Sequence, residues 1–473
     1  MSYLRLFICT SIFGLSLSTN AQSLNLTLDD EAEITNYISG LTPVIDKLGR
    51  DYLYVTANEG GLKIYDVASG ISLIATVDTV ELTMKPMSVT QVDTLLYVAI
   101  GSHFGWDSTS VDSPGLAIVN VANPTNPQVI GVWSASVEGK GAGIVRIQGD
   151  YAYLGAMPHG LIILDISDPT AIDSVSSIIP PLDFPHIGNE QGKVNARGMD
   201  IVDTLVYLCN DAGGMHVINC ADIANPLIIE MFANPITFPW LNWPRAYNNV
   251  IIDDTLAYIA VDYCGLEIWN VKDPYNVEMV HHWNPRNCPV GVWWQAPIHT
   301  NELILQKECN LLFMSTGKSE MVVMDIANPN MPVAIDSFGT AMDTTGTWGI
   351  DVDNEFIYLT YVNVPLFVPW VFSPFYSTWA GVKKIAYTKC AATLEEEALD
   401  QLRLFPNPAE SYFEVKGIEG EMDFNLFSML GENILQGRVQ AGQQISTVGL
   451  SPGVYLVQLS NATTQWQSRI SVK

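Results

Sequence analysis

GLIILDI, residues 160–166, is a short apolar strand opened by a glycine and closed by an aspartate, and it returns along the chain. Its other copies are GLKIYDV from Gly61, GLAIVNV from Gly115, GMHVINC from Gly214, GLEIWNV from Gly265, EMVVMDI from Glu320 and GVKKIAY from Gly381. Successive copies start 54, 45, 54, 51, 55 and 61 residues apart. That period suits one four-stranded propeller blade and exceeds most helical repeats. In GLIILDI the alternating positions of both faces are apolar, so the sheet that holds it must be covered on both sides.

Two turn signals frame each copy. Upstream lies an aspartate hairpin at Asp93, Asp203, Asp254 and Asp353, with Asp51 and Asp150 as variants. Aspartate suits a tight turn because it tolerates left-handed backbone and bonds its own main chain. Downstream lies an Asx-Pro turn at Asn123-Pro124, Asp168-Pro169, Asn225-Pro226, Asp273-Pro274 and Asn328-Pro329, where proline ends the ladder. Each unit therefore reads as a four-stranded antiparallel meander. A lone sheet of this kind leaves apolar faces in water, whereas sheets set around an axis cover one another. The expected fold is all-β: a seven-bladed β-propeller followed by a small C-terminal β-sandwich. The seventh unit lacks a fourth strand, and residues 24–40 precede the first unit without a partner, so this segment is expected to complete the last blade. The third strands resemble the LVIVD repeat, a family of β-propellers of exported and surface proteins. That resemblance spans most of residues 45–390 and implies a scaffold without a catalytic signature.

The two ends give addresses. Residues 1–22 read as a signal peptide: Arg5 precedes the apolar LFICTSIFGLSL, and Thr19, Asn20 and Ala21 form a small-residue cleavage site before Gln22. The apolar core is too short to span a bilayer, and the run from Val362 is broken by prolines, so no transmembrane segment is expected. The remaining divisions are residues 23–393 for the propeller, 394–401 for an acidic linker and 402–473 for a terminal domain of alternating strands. The terminal domain resembles the type A sorting domain of type IX secretion in Bacteroidota. The residues that carry the likeness are Pro406, Asn407 and Pro408, then Gly431, then Gly453 and Tyr455, ending at Lys473. It implies export by Sec and then by the type IX machinery, to the extracellular space or the outer-membrane surface. Six cysteines follow the signal, which in an oxidising compartment suggests one or two disulfides among otherwise buried thiols.

Function is less legible. Alternating strand direction puts the aspartate and Asx-Pro turns on one face of the disc and the long insertions on the other. Those insertions carry Trp106, Trp240, Trp243, Trp293, Trp294, Trp370 and Trp379, with Phe238, Phe367, Phe372, Phe375 and Tyr376 nearby. Such aromatics either stack on a sugar or anchor a protein, or they pack on one another as a cap. The expected partner is a glycan or a surface protein. A net charge of −28 excludes nucleic acid, whose phosphates need a basic groove. Calcium fits the acidic surface and the compartment, although no DxDxDG loop occurs and no cofactor is firmly implied. For chemistry, the channel mouth offers His103, Asp107, His159, Asp211 and Asp262, with Arg197 and Arg245 at the starts of first strands. A polysaccharide hydrolase or lyase there is the alternative reading, without an HxH, HExxH or GxSxG motif to support it. His281 and His282 are adjacent on a strand and point to opposite faces, which argues against a shared metal. A purely structural role in the cell envelope is the third reading.

Overall fold

The computed structural model describes residues 24–35, 41–101, 112–137, 139–185, 194–234, 246–285, 288, 298–339, 345–363, 377–390, 403–417, 420–428, 433–460 and 465–473. It divides into two compact units, Met1–Thr388 and Lys389–Lys473.

Among the described residues the first unit holds seven four-stranded antiparallel sheets. The first runs through Pro43–Ile45, Tyr52–Thr56, Leu62–Asp66 and Ser72–Val77 in sequence order, and the next five repeat this meander. The third contains Leu161–Asp165, the strand that opened the reading. Its side chains explain the doubly apolar pattern. Leu161 and Ile163 join the cluster shared with Met199 and Val206 of the fourth sheet, while Ile162 and Leu164 join the one shared with Ala99 and Leu116 of the second. Each fully buried Leu or Ile contributes about 1.5–3 kcal/mol. A further cluster joins Leu53 and Val55 of the first sheet to Tyr358 and Val382 of the seventh.

The sixth residue of the motif has a local cause. Asp66, Asn120, Asp165, Asn219, Asn270 and Asp325 each accept, through Oδ1, the backbone N–H two residues on, at 2.8–3.0 Å. These Asx turns swing the chain toward the fourth strand. The seventh repeat has Ala386 there, and no such turn is required, because its fourth strand comes from the start of the chain. Thr27–Glu33 pairs antiparallel with Gly381–Ala386, as the unpartnered N-terminal segment leads one to expect. Lys384, which stands where the first repeat has the apolar Ile64, is buried and donates to Val67 O at 3.0 Å. Asp30 Oδ2 accepts Ile71 N at 2.7 Å. The seventh sheet is thus bound to the first by both its own strand and the borrowed one.

Three of the aspartate hairpins adopt the left-handed backbone foreseen for them, with φ of 50°, 54° and 54° at Asp93, Asp203 and Asp254, whereas Asp353 does not and instead accepts Glu355 N and Phe356 N through its Oδ1. Cys264 and Cys288 form a disulfide, and Cys209 and Cys220 are buried free thiols.

The second unit has a three-stranded sheet, Arg403–Phe405, Tyr412–Lys416 and Gln444–Ser446, and a four-stranded one in the order Asn433–Gln440, Glu421–Ser428, Gly453–Ser460, Gln465–Val472. One apolar cluster, including Phe413, Ile445, Leu426 and Val457, draws on both.

Candidate functional site

The first strands of the sheets in the first unit, or the residues that lead into them, line a common channel. A cavity of about 240 Å³ in it is bounded by Val44, Thr90, Arg146, Arg197, Asn249, Glu302 and Asp351, one from each successive sheet or its approach. Polar side chains in and beside this wall stitch one sheet to the next. Asp351 Oδ2 accepts Ile45 N at 2.8 Å, Asp200 Oδ2 accepts Ile252 N at 2.8 Å, and Thr90 Oγ1 donates to Val145 O at 2.8 Å. Glu302 accepts from Thr42 Oγ1 at 3.0 Å and from Ile350 N at 3.3 Å. Burial nevertheless pushes the Glu302 carboxyl up to about 7, against those bonds and the charge of Arg146.

Above this ring the ends of the second strands converge as the meander requires, and three of the expected residues meet. Arg197 NH1 lies 3.9 Å from Asp211 Oδ2, and Asp262 acts on Asp211 through its charge. Burial, reinforced by Asp262, raises the Asp211 carboxyl above its ordinary value despite Arg197. Asp262 goes the other way. Burial works against its charge, but His299 Nε2 at 2.9 Å, Arg197 and the amide of Asn248 at 2.8 Å outweigh it and hold the carboxyl down. Asn195 completes the group, donating to Asp211 Oδ2 at 2.9 Å while accepting Lys140 Nζ at 3.2 Å. The arrangement places a carboxyl biased toward its acid form beside a carboxylate biased toward its base form. Among the described residues no three His, Cys, Asp or Glu side chains gather as a metal cluster.

Other expected residues are dispersed. His159 sits on the third sheet facing Gly139, where an added Cβ would lie 3.1 Å from its Nε2. His281 and His282 occupy one strand, Glu278–Trp283, and His282 Nε2 bonds Cys264 O at 2.8 Å. Trp379 is half-buried, with its ring 5.2 Å from that of Tyr361 and edge-on to it. His103, Asp107 and Arg245 lie outside the described residues, as do Trp106, Trp240, Trp243, Trp293, Trp294 and Trp370, and with them Phe238, Phe367, Phe372, Phe375 and Tyr376. Sequence reasoning passed over Arg146, Glu302, His299, Asn248 and Asn301. Arg146 and Glu302 carried a faint signal: each is a charge set in or beside an otherwise apolar first strand.

In the second unit the motif residues hold the chain's end. Asn407 Oδ1 accepts Ser471 N at 3.0 Å, Ala409 N donates to Ser471 O at 2.7 Å, and Lys473 N donates to Ala409 O at 2.9 Å. Gly453 pairs with Val472, and Tyr455 OH donates to Ser451 O at 2.8 Å. Gly431 lies outside the described residues.

Repeated four-stranded sheets around a polar channel define a β-propeller, and residues 139–178 match the family model of the LVIVD repeat. Residues 403–473 match the model of the secretion system C-terminal sorting domain. The chain is therefore a propeller protein with a type IX sorting tail, exported to the cell surface or the extracellular space. No curated protein matches it. Among solved structures it is similar to the β-propeller domain of Myceliophteria thermophila Cps50 (Swd1), at 10% identity and a TM-score of 0.50, over 77% of this chain and 100% of that one. It is also similar to the computationally designed Ika8 protein, at 9% identity and a TM-score of 0.42, over 75% and 98% of the two chains. The first of these likenesses speaks for the fold alone. No helix among the described residues is long and apolar enough to cross a membrane.

Proposed function

We propose that residues 23–393 form a closed seven-bladed propeller whose long-loop face recognises a glycan or a surface protein. Residues 394–401 link it to a sorting β-sandwich, 402–473, that engages the type IX machinery. The blade count is supported by seven four-stranded sheets and by the apolar cluster between the seventh and the first.

The observation that carries the binding reading is the segregation of loop lengths. The turns between first and second strands are short, and in six sheets the third strand passes to the fourth through a short Asx-bonded turn, followed in the third sheet by Asp168, whose Oδ1 accepts Thr170 N at 2.9 Å. The connections between second and third strands, and those between sheets, join the opposite strand ends, and the sequence sets its long aromatic insertions in those connections. A rigid scaffold with one plain rim and one elaborated rim presents a binding surface. The test is binding of the mature full-length protein to glycan arrays and to outer-membrane extracts, alongside a variant with Trp240, Trp243, Trp293 and Trp294 changed to Ala. Saturable binding lost in the variant upholds the reading; a folded protein that binds neither target overturns it.

The opposed shifts of Asp211 and Asp262 favour one second reading, acid-base cleavage of a polysaccharide at the channel mouth. Asp211→Asn and Asp262→Asn should then abolish turnover on a polymer panel while leaving binding in place.

A further inference from the structure

Arg146 departs from the pattern of the channel wall. Pairing within each sheet sets one residue of the first strand opposite an aromatic of the second, and at that level Thr90 stands opposite Tyr97, Arg146 opposite Tyr153, Asp200 opposite Tyr207 and Asp351 opposite Tyr358. The other sheets place Val44, Ile251 and Ile304 there. Three of the polar members reach the first strand of the next sheet: Thr90 bonds Val145 O, Asp200 bonds Ile252 N and Asp351 bonds Ile45 N, each at 2.8 Å. Arg146 does not. Its NH1 donates to Val145 O of its own strand at 3.2 Å, and among the described residues it makes no other hydrogen bond. Stitching of sheets therefore does not account for it.

Nor does a counter-ion. Asp200 and Glu302 lie near enough to favour its cationic form, but desolvation acts on it more strongly, and neither makes an ion pair with it among the described residues. Their oxygens are committed elsewhere. Asp200 accepts Ile201 N at 2.9 Å through Oδ1 as well as Ile252 N through Oδ2, and Glu302 accepts Thr42 Oγ1 through Oε1 and Ile350 N through Oε2. A guanidinium carries five N–H donors, so most of this one is unused. Its Nε and NH2 groups have no partner among the described residues, and they are open to water rather than sealed in the wall.

Charge and size narrow the occupant. The cavity wall carries Lys47, Arg146 and Arg197 against Glu302 and Asp351. Lys47 and Asp351 pair at 3.1 Å. Arg197 lies 3.9 Å from Asp211 and over the Trp348 ring, 5.6 Å from its centroid, and Glu302 is biased toward its acid form. The charge of Arg146 is what remains. A desolvated ion without a partner is costly, and a guanidinium fork matches two oxygens of a single anion. The cavity, about 240 Å³, has room for a small anion and is below the size of pockets that enclose drug-sized ligands.

We propose that the propeller channel binds one small oxyanion, two of whose oxygens accept from the free donors of Arg146. The site is separate from the long-loop face, so either reading can fail without the other. Titration calorimetry of the mature full-length protein with sodium acetate, sodium sulfate and sodium phosphate, in a buffer free of other oxyanions, tests it, with sodium chloride as the control. The expected result is one saturable site for at least one of these oxyanions, about tenfold tighter than for chloride, which offers no second oxygen to the fork. Preference for acetate assigns a planar carboxylate as occupant and preference for sulfate or phosphate a tetrahedral anion, and both uphold the proposal. Arg146→Met should abolish the binding, and Arg146→Lys, which keeps the charge without the fork, should weaken it about tenfold, each checked for an unchanged melting transition. Absence of binding by all the oxyanions overturns the proposal, as does chloride binding equal to theirs or undiminished affinity in either folded variant. If one variant does not fold, the other decides; if neither folds, the selectivity over chloride decides.

Discussion

Glu320 Oε2 and Lys383 Nζ meet at 3.1 Å across the seam between the sixth and seventh sheets. Glu320 breaks the repeat, while Lys383 occupies the position that Lys63 holds in the first copy. Glu320 stands where most copies have glycine, and it keeps the left-handed backbone of that position, with φ of 54° beside 75° at Gly160 and 76° at Gly214. Its carboxylate is buried and also accepts from Thr345 Oγ1 at 3.1 Å and from Tyr361 OH. Lys383 lies over the Tyr361 and Trp379 rings, 4.6 and 5.7 Å from their centroids.

Removing one partner leaves a buried charge uncompensated, which costs about 3–5 kcal/mol. Lys383→Met should therefore destabilise the propeller by that amount in thermal or denaturant unfolding. The double change Glu320→Gly with Lys383→Met should recover most of the loss, since it restores the repeat's glycine and removes both charges. A double variant as unstable as the single one would mean that the pair is not the cause.

The borrowed strand makes a second prediction. Deleting residues 24–35 removes the pairing of Thr27–Glu33 with Gly381–Ala386, and with it the contacts of Asp29 with Lys384 and of Asp30 with Ile71 N. At about 1 kcal/mol net per hydrogen bond, the loss is on the order of 5 kcal/mol. Because the strand joins the last sheet to the first, calorimetry should show the whole unit melting earlier. Early melting confined to a minor separate transition is the contrary outcome.

Two buried groups set opposing pH dependences. Burial lowers His216 to about 4, with Gly213 O accepting from its Nε2 at 3.0 Å as a smaller opposing influence. Its contribution is present above the ordinary histidine value of 6.5 and is lost as pH falls through about 4. Glu302, raised to about 7 in the company of Thr42, Ile350 N, Arg146 and Asp351, behaves in reverse. Its contribution is full below 4.5 and is lost as pH rises through about 7. Between pH 4.5 and 6.5 the two slopes oppose. Relative to the parent, Glu302→Gln should lose more stability on acidification across that window, and His216→Phe less. Urea unfolding at several pH values reads the difference.

The terminal motif gives a fourth test. Asn407→Ala removes the acceptor of Ser471 N and should cost the sorting domain about 1 kcal/mol. Export should fall, with the protein accumulating in the periplasm, as read by cell fractionation. Loss of export together with an unchanged sorting-domain melting curve would assign Asn407 to recognition rather than to stability.

The first sheet-forming signals were fully local, which is why they could be read. Asp165 closes its strand by bonding a backbone N–H two residues away, Asp203 turns its hairpin through its own left-handed φ, and Ala386 marks by its chemistry the one repeat whose next strand is elsewhere. Of the expected channel group, Arg197, Asp211 and Asp262 could be named because each sits at a strand end whose place in the meander is fixed. Arg146, Glu302, Asn248 and Asn301 could not. They stand in or beside first strands but share no single residue type, and the cavity they line is assembled from strands far apart in the chain.

The amino-acid sequence by itself determined the repeat and the turn chemistry, since each depends on side chains acting within a few residues of themselves, and it marked the sorting tail through its motif. The tertiary structure alone decided which charges are compensated and which are not. Arg146 and Lys47 are equally basic on paper, but ring packing sets Asp351 beside Lys47 and leaves Arg146 with one backbone hydrogen bond and no ion pair among the described residues, because burial and partnership arise only when distant strands share a wall.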